Sequence, residues 1–270
     1  MTLRFSPALQ NFVAAEGSWK DAIDEGSIEI RSGTQPATPD LAVTGTLLAT
    51  ITSSAGTKTN EVRATGVVTL SVGAVSSDTL LTLKLLGVDL LDGTVAFDTS
   101  LTVTATAAAL KINRNPKNKL VVATSSGAVI TLTAQPGIGA LLNAAALATT
   151  VGGNMVAAVT STTFGSGTGG SVVGVSAVNG LKLDYNAAAG VITKDTTQTW
   201  SGTAVATGTA GWFRYKGSVV DAGALDSSAV FLRMDGSVAT SGADMNMSST
   251  SITNAALQTL SSFSFTIPAA

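Results

Sequence analysis

Apolar and polar residues alternate with a period of two through most of the chain. Ser27-Ile28-Glu29-Ile30-Arg31 is the plainest case: Ile28 and Ile30 share one face of an extended segment, Glu29 and Arg31 the other. The same alternation, rich in Thr and Val, predicts strands over residues 46–52, 65–72, 79–85 and 88–91, then 178–185, 190–193, 199–205, 211–216, 229–235, 243–248 and 257–267. Three stretches instead carry helical spacing. Ser6-Pro7 supplies an N-cap and a first helical residue ahead of Leu9, Phe12 and Val13. Ser18, with Asp21 three residues on, caps a second helix over 18–25 that Gly26 ends. Residues 102–113 place Ala105, Ala108, Ala109 and Ile112 on one face, and Asn115-Pro116 stops the helix.

The order of elements changes partway along. From residue 72 to residue 170 the pattern runs strand, strand, helix, strand, strand, the mark of a small α+β module. The module includes a hairpin turning at Ser125-Ser126-Gly127 and ends in Phe164-Gly165-Ser166-Gly167-Thr168-Gly169-Gly170, a flexible link. That glycine run superficially resembles a phosphate loop, but no Lys-Ser/Thr follows it. The expected fold is therefore mainly β: an antiparallel, sandwich-like domain built from residues 1–71 and 171–270, with one or two short N-terminal helices and an inserted α+β module over 72–170.

Composition narrows the chemistry. The 270 residues include no Cys and no His, which removes the thiolate and the commonest general base and metal ligand. Only 12% are charged and the net charge is −2, so there is no basic field for nucleic acid. No run reaches the length of an apolar membrane span, and the first residues lack the apolar core of a signal peptide. The expectation is a product made in the cytoplasm, with no cofactor, no bound metal and no enzymatic activity.

Besides the glycine run, three groups of residues could carry function. Aromatics make up 5% of the chain, and Trp200, Trp212, Phe213 and Tyr215 concentrate them; as core they close a β domain, and exposed they could stack on a glycan. Lys111, Arg114, Lys117 and Lys119 gather at the end of the third helix, either as a solvated surface or as a contact with an acidic neighbour. Asp221, Asp226, Asp235 and Asp244 could supply a carboxylate pair for hydrolysis, but their Gly, Ser and Ala neighbours read as turns, with Asp235-Gly236 as one of them. No Ser sits in a nucleophile elbow.

Several blocks resemble a family of small virion proteins of tailed bacteriophages. They are Leu3-Arg4-Phe5-Ser6 with Leu9-Gln10-Asn11-Phe12, Gly17-Ser18, residues 28–37 (IEIRSGTQPA) and residues 44–51 (TGTLLATI). Later come residues 206–214 (ATGTAGWFR), Met234-Asp235-Gly236-Ser237-Val238 and residues 240–247 (TSGADMNM). The inserted stretch resembles small α+β modules of phage tail and surface proteins, with Asn113-Arg114-Asn115 at the helix end. The resemblance implies a structural component on the particle exterior, either head decoration or a tail or neck part. Its partners would be other virion proteins and further copies of itself. It also implies that the two chain ends fold together, with Trp212 against the N-terminal strands. A glycan-binding module using Trp200, Trp212 or Tyr215 is the alternative.

Overall fold

The computed structural model describes residues 3–15, 17–118, 120–159, 164–167, 179–184 and 190–266. Arg4–Phe5 (β1), helices Pro7–Ala15 (α1) and Trp19–Ile23 (α2), and strands Ser27–Ser32 (β2) and Leu47–Ser53 (β3) come first. Thr65–Ser71 (β4), Thr79–Leu85 (β5), Val88–Asp89 (β6), Val95–Ala96 (β7), helix Leu101–Arg114 (α3), Val121–Ser126 (β8), Val129–Ala134 (β9), Leu147–Gly152 (β10) and Val156–Val159 (β11) follow. The last group is Val191–Thr193 (β12), Trp200–Thr203 (β13), Gly208–Lys216 (β14), Arg233–Ala239 (β15), Met245–Asn246 (β16), Ser251–Ile252 (β17), Leu257–Leu260 (β18) and Ser264–Thr266 (β19). The protein is mainly β, its sheets are antiparallel apart from the short β15–β16 pair, and its helices are few and short.

The chain divides into two compact units, residues 1–61 with 169–270 and residues 62–168. The sequence pattern put the boundary at residue 72, one strand too late. β4 pairs with β9 and β11 and so belongs to the inserted unit. Alternation shows that a segment is a strand; it does not show which sheet the strand joins.

In the first unit one sheet runs β1-β15-β14-β2-β3-β13-β18. Strands from before and after the insertion interleave: β14 pairs with β2 on one side and β15 on the other. The β14–β2 register shifts between Ala210 and Trp212. Gly211 sits in that shift, where a Cβ would overlap the Gly33 carbonyl, so the position requires glycine. One face of the sheet is apolar, with Ile28, Ile30, Ile51, Phe213, Tyr215 and Met234. Leu9 and Phe12 of α1, Ile23 of α2, and Ile192 and Phe265 of the β12–β19 ribbon pack on it, taking the place of a second large sheet.

Local signals set the helices. The Ser6 hydroxyl accepts from Leu9 N at 3.2 Å, and Ser18 and Asp21 form a reciprocal capping box. The second helix ends earlier than its pattern suggests. The residue in the left-handed region is Glu25 (φ 58°), not Gly26. A Cβ on Gly26 would overlap the Lys216 carbonyl, so glycine is needed there for space, not for its φ.

In the inserted unit, sheets β11-β4-β9-β8 and β10-β5-β6, the latter with β7 on β5, enclose Val68, Leu70, Leu80, Leu83, Ile130 and Leu132. The predicted face of α3, Ala105, Ala108, Ala109 and Ile112, is buried in this core. Its end is tied by asparagines. Asn113 exchanges two hydrogen bonds with the Ala123 backbone, Asn115 donates to Asp89 O and Leu90 O, and Asn118 donates to Ile112 O and Val121 O. Each satisfies backbone groups that a helix end leaves open or that a turn exposes.

Candidate functional site

The second face of the large sheet carries charge. Trp212, Arg214 and Lys216 of β14 alternate with the apolar set, Arg214 lies opposite Glu29 on β2 and Asp235 on β15, and Lys216 lies opposite Arg233. Such a pattern normally faces water. Here Arg214, Arg233 and Asp235 are completely buried, and Arg31 and Lys216 nearly so.

Two loops provide the cover, residues 33–46 and residues 217–232. Arg4 donates to Pro36 O, Arg233 to Pro39 O at 3.0 Å, Arg214 to Leu41 O at 3.1 Å and Arg31 to Gly45 O at 3.4 Å. The loops hold each other through Val43 N to Gly223 O and Asp226 N to Asp40 O. Thus the cations neutralise acids with one edge of the guanidinium and satisfy buried loop carbonyls with another.

The acids complete this layer. Asp235 takes two 2.7 Å hydrogen bonds from Arg214. Asp221 takes 2.7 and 2.6 Å bonds from Arg233, and Glu29 pairs with both Arg31 and Lys216. Burial works to raise the Asp221 carboxyl, but the Arg233 hydrogen bonds and the Gly223 N–H outweigh it and hold the group below the usual carboxylate range. Asp226 accepts the N–H groups of Val230 and Phe231 at 2.9 and 2.8 Å. Asp244 accepts the N–H and hydroxyl of Ser237. The expected turn at Asp235-Gly236 is instead the middle of β15, where Gly236 lies opposite Phe213 and a Cβ would strike its ring. These four carboxylates anchor backbone groups, the Ser237 hydroxyl and arginine side chains.

Loop 217–232 is therefore ordered from beneath while presenting apolar side chains above. Val220, Leu225 and Val230 are 59%, 61% and 61% exposed. Sixteen residues without helix or strand are long for a structural connection. Asp221, Asp226 and Arg233 hold this one at both ends and in the middle.

Trp200, Trp212 and Tyr215 are fully enclosed. None offers a face to a sugar, which corrects the expectation of a glycan platform at these positions. Trp212 Nε1 donates to Ser32 O at 3.2 Å, and Trp200 Nε1 to Gln198 Oε1 at 3.0 Å, as buried indoles require. Trp200, Tyr215 and Phe263 stack in one cluster. In the inserted unit, Lys111 donates to Thr94 O at 2.8 Å, and Arg114 and Lys117 are exposed. Lys119 lies outside the described residues, as do the ends of the expected strand over 178–185 and of the glycine link.

Two further charged groups escaped the sequence pattern. Glu25 is completely buried, neither carboxylate oxygen has a hydrogen bond, and Lys182 Nζ stands 3.6 Å away. Burial pushes its carboxyl up to about 7; the charge of Asp24 adds to the rise and Lys182 opposes it. Lys58 is brought down to about 8 by burial, against the pull of Glu61, while its ammonium donates to Asn60 Oδ1, Gly217 O and Ser218 O. Neither group could be found by spacing, because each is surrounded by segments remote in sequence.

A cleft of about 370 Å³ opens on the apolar side of the sheet, floored by Ile30, Ile51 and Met245 and walled by Gln258 and Leu260. Among the described residues no ionisable side chain lines it. A smaller cavity of about 190 Å³, between Phe213, Asp244 and Phe263, shares Met245 and Leu260 with it. Among the described residues no cluster of three or more His, Cys, Asp or Glu could hold a metal, and no helix is long and apolar enough to cross a membrane. No family model, no curated protein and no solved structure matches the chain.

Proposed function

We propose that the protein is a non-enzymatic structural component that works through protein–protein contacts, in symmetric copies, on the exterior of a tailed-phage particle. The observation that carries the contact reading is loop 217–232. A surface that exposes Val220, Leu225 and Val230 on a backbone fixed by Asp221, Asp226 and Arg233 is pre-ordered for association, so little loop entropy is lost on binding. Exposed apolar side chains on one hydrogen-bonded loop are surface that a protein partner can cover. The phage assignment, as head decoration, neck or tail component, rests on the blocks at both chain ends that resemble virion proteins. The β14–β2 pairing of two of those blocks supports reading them as one structural motif.

The test is replacement of Val220, Leu225 and Val230 by Asp together. The variant is expected to fold but not to enter particles assembled in its presence. Incorporation equal to the parent chain would contradict the contact reading.

A further inference from the structure

β18 (Leu257-Gln258-Thr259-Leu260) ends the large sheet beyond β13, and among the described residues nothing pairs with its outer side. The phase of its hydrogen bonds follows from Ala204 N, which donates to Ala256 O at 2.9 Å. Alternation then turns the backbone groups of Gln258 and Leu260 toward β13 and those of Leu257 and Thr259 outward. Natural edges are usually blunted by Lys, Pro or a bulge. β18 has none of these, and the opposite edge of the sheet, β1, is only two residues long and carries Arg4.

We infer that β18 is a self-association edge, at which a second copy of this chain adds its own β18 antiparallel across a two-fold axis. Three observations favour a copy over another occupant. The edge is uncharged, so a copy of it meets no like-charge repulsion. Leu257, 63% exposed, is an apolar side chain that the added strand covers. The cleft beside the edge is walled by Gln258 and Leu260 and, among the described residues, has no ionisable lining, so the copy's Gln258 and Leu260 extend that wall without stranding a charge. Antiparallel registers that use both outward-facing residues place Thr259 opposite its own copy or one diagonal away, within reach of long side chains. The arrangement is isologous and closes as a dimer.

This inference rests on the proposed assembly through symmetric copies, but fails separately from it. The experiment is sedimentation equilibrium of the full chain, of Thr259→Lys, of Thr259→Glu and of an equimolar mixture of the two variants, with thermal unfolding of each as a check on folding. Expected are concentration-dependent dimers of the parent, dimerisation weakened at least about tenfold in each variant alone, and recovery in the mixture, because like charges across the axis become opposite ones. A parent that stays monomeric overturns the inference. So does association that ignores both variants, which would leave loop 217–232 as the contact. Variants that stay monomeric when mixed overturn it as well.

Discussion

Arg214 and Asp235 face each other across β14 and β15, joined by two 2.7 Å hydrogen bonds with neither side chain exposed. The pair ties the sheet to loop 33–46 through the third arginine contact, at Leu41 O. Removing one partner leaves the other charge buried. Asp235→Ala is therefore expected to lower stability by about 3–5 kcal/mol. The joint replacement Arg214→Met with Asp235→Leu should cost less than Asp235→Ala alone. Urea denaturation of the three proteins decides it; equal losses would mean that the pair is not desolvated as a unit.

Glu25 sets a pH dependence. Its carboxyl binds a proton up to about pH 7 in the folded chain, against an ordinary value of 4.5. The folded state thus holds the proton more tightly than the unfolded one. The stabilising contribution is complete below about pH 4.5 and is lost as pH rises through 7, a change of about 3 kcal/mol. Lys20, Asp24 and Lys182 act on the same carboxyl, and the unpartnered Tyr215 hydroxyl is held protonated by burial and by the charges of Asp24 and Glu25. Glu25→Gln should remove this slope and exceed the parent in stability at pH 8. Denaturation curves at pH 5 and pH 8 test it, and identical slopes for the two proteins would rule out Glu25 as the source.

Gly211→Ala should destabilise by about 1–3 kcal/mol, because its Cβ would meet the Gly33 carbonyl at the β14–β2 register shift. Gly242→Ala makes a useful contrast. Nothing surrounds that Cβ, and its cost comes from the positive φ of 71° alone. Thermal unfolding of both variants separates overlap from backbone strain; a larger loss at Gly242 would contradict the packing described for Gly211.

Strand and helix signals were legible in the sequence because they are local. Ser6, Ser18 with Asp21, and the Ala105–Ala108–Ala109–Ile112 face each depend on neighbours within one or two turns. The pairing of Tyr215 with Ile28 spans the whole insertion and was suggested only by the resemblance of the two chain ends. The charged layer was not legible at all. Arg214, Lys216, Arg233 and Asp235 alternate with apolar residues as a solvated face would, and only loops 33–46 and 217–232, through their carbonyls, make that face interior. Glu25 was hidden for a similar reason. Its burial depends on the segment at Leu181–Leu183, whose backbone bonds to Glu25 N, Gly26 O and the Asp24 carboxylate.

Loop 217–232 also makes a prediction about stability. Val220, Leu225 and Val230 have most of their surface in water, so single Asp replacements should change the unfolding free energy by no more than about 0.5 kcal/mol. Asp226→Ala should behave differently, since it releases the Val230 and Phe231 N–H groups inside the loop and costs about 1–3 kcal/mol. Denaturation of the four variants checks this, and a Val220 loss as large as that of Asp226 would mean that the exposed side chains serve the fold and not a partner.

The proposed role is tested most directly by electron cryomicroscopy of tailed-phage particles assembled in the presence of this chain. The protein is expected in symmetric copies on the particle exterior, with Val220, Leu225 and Val230 of each copy covered by a neighbouring subunit. Complete, infectious particles that contain no density and no stoichiometric polypeptide for this chain would contradict it.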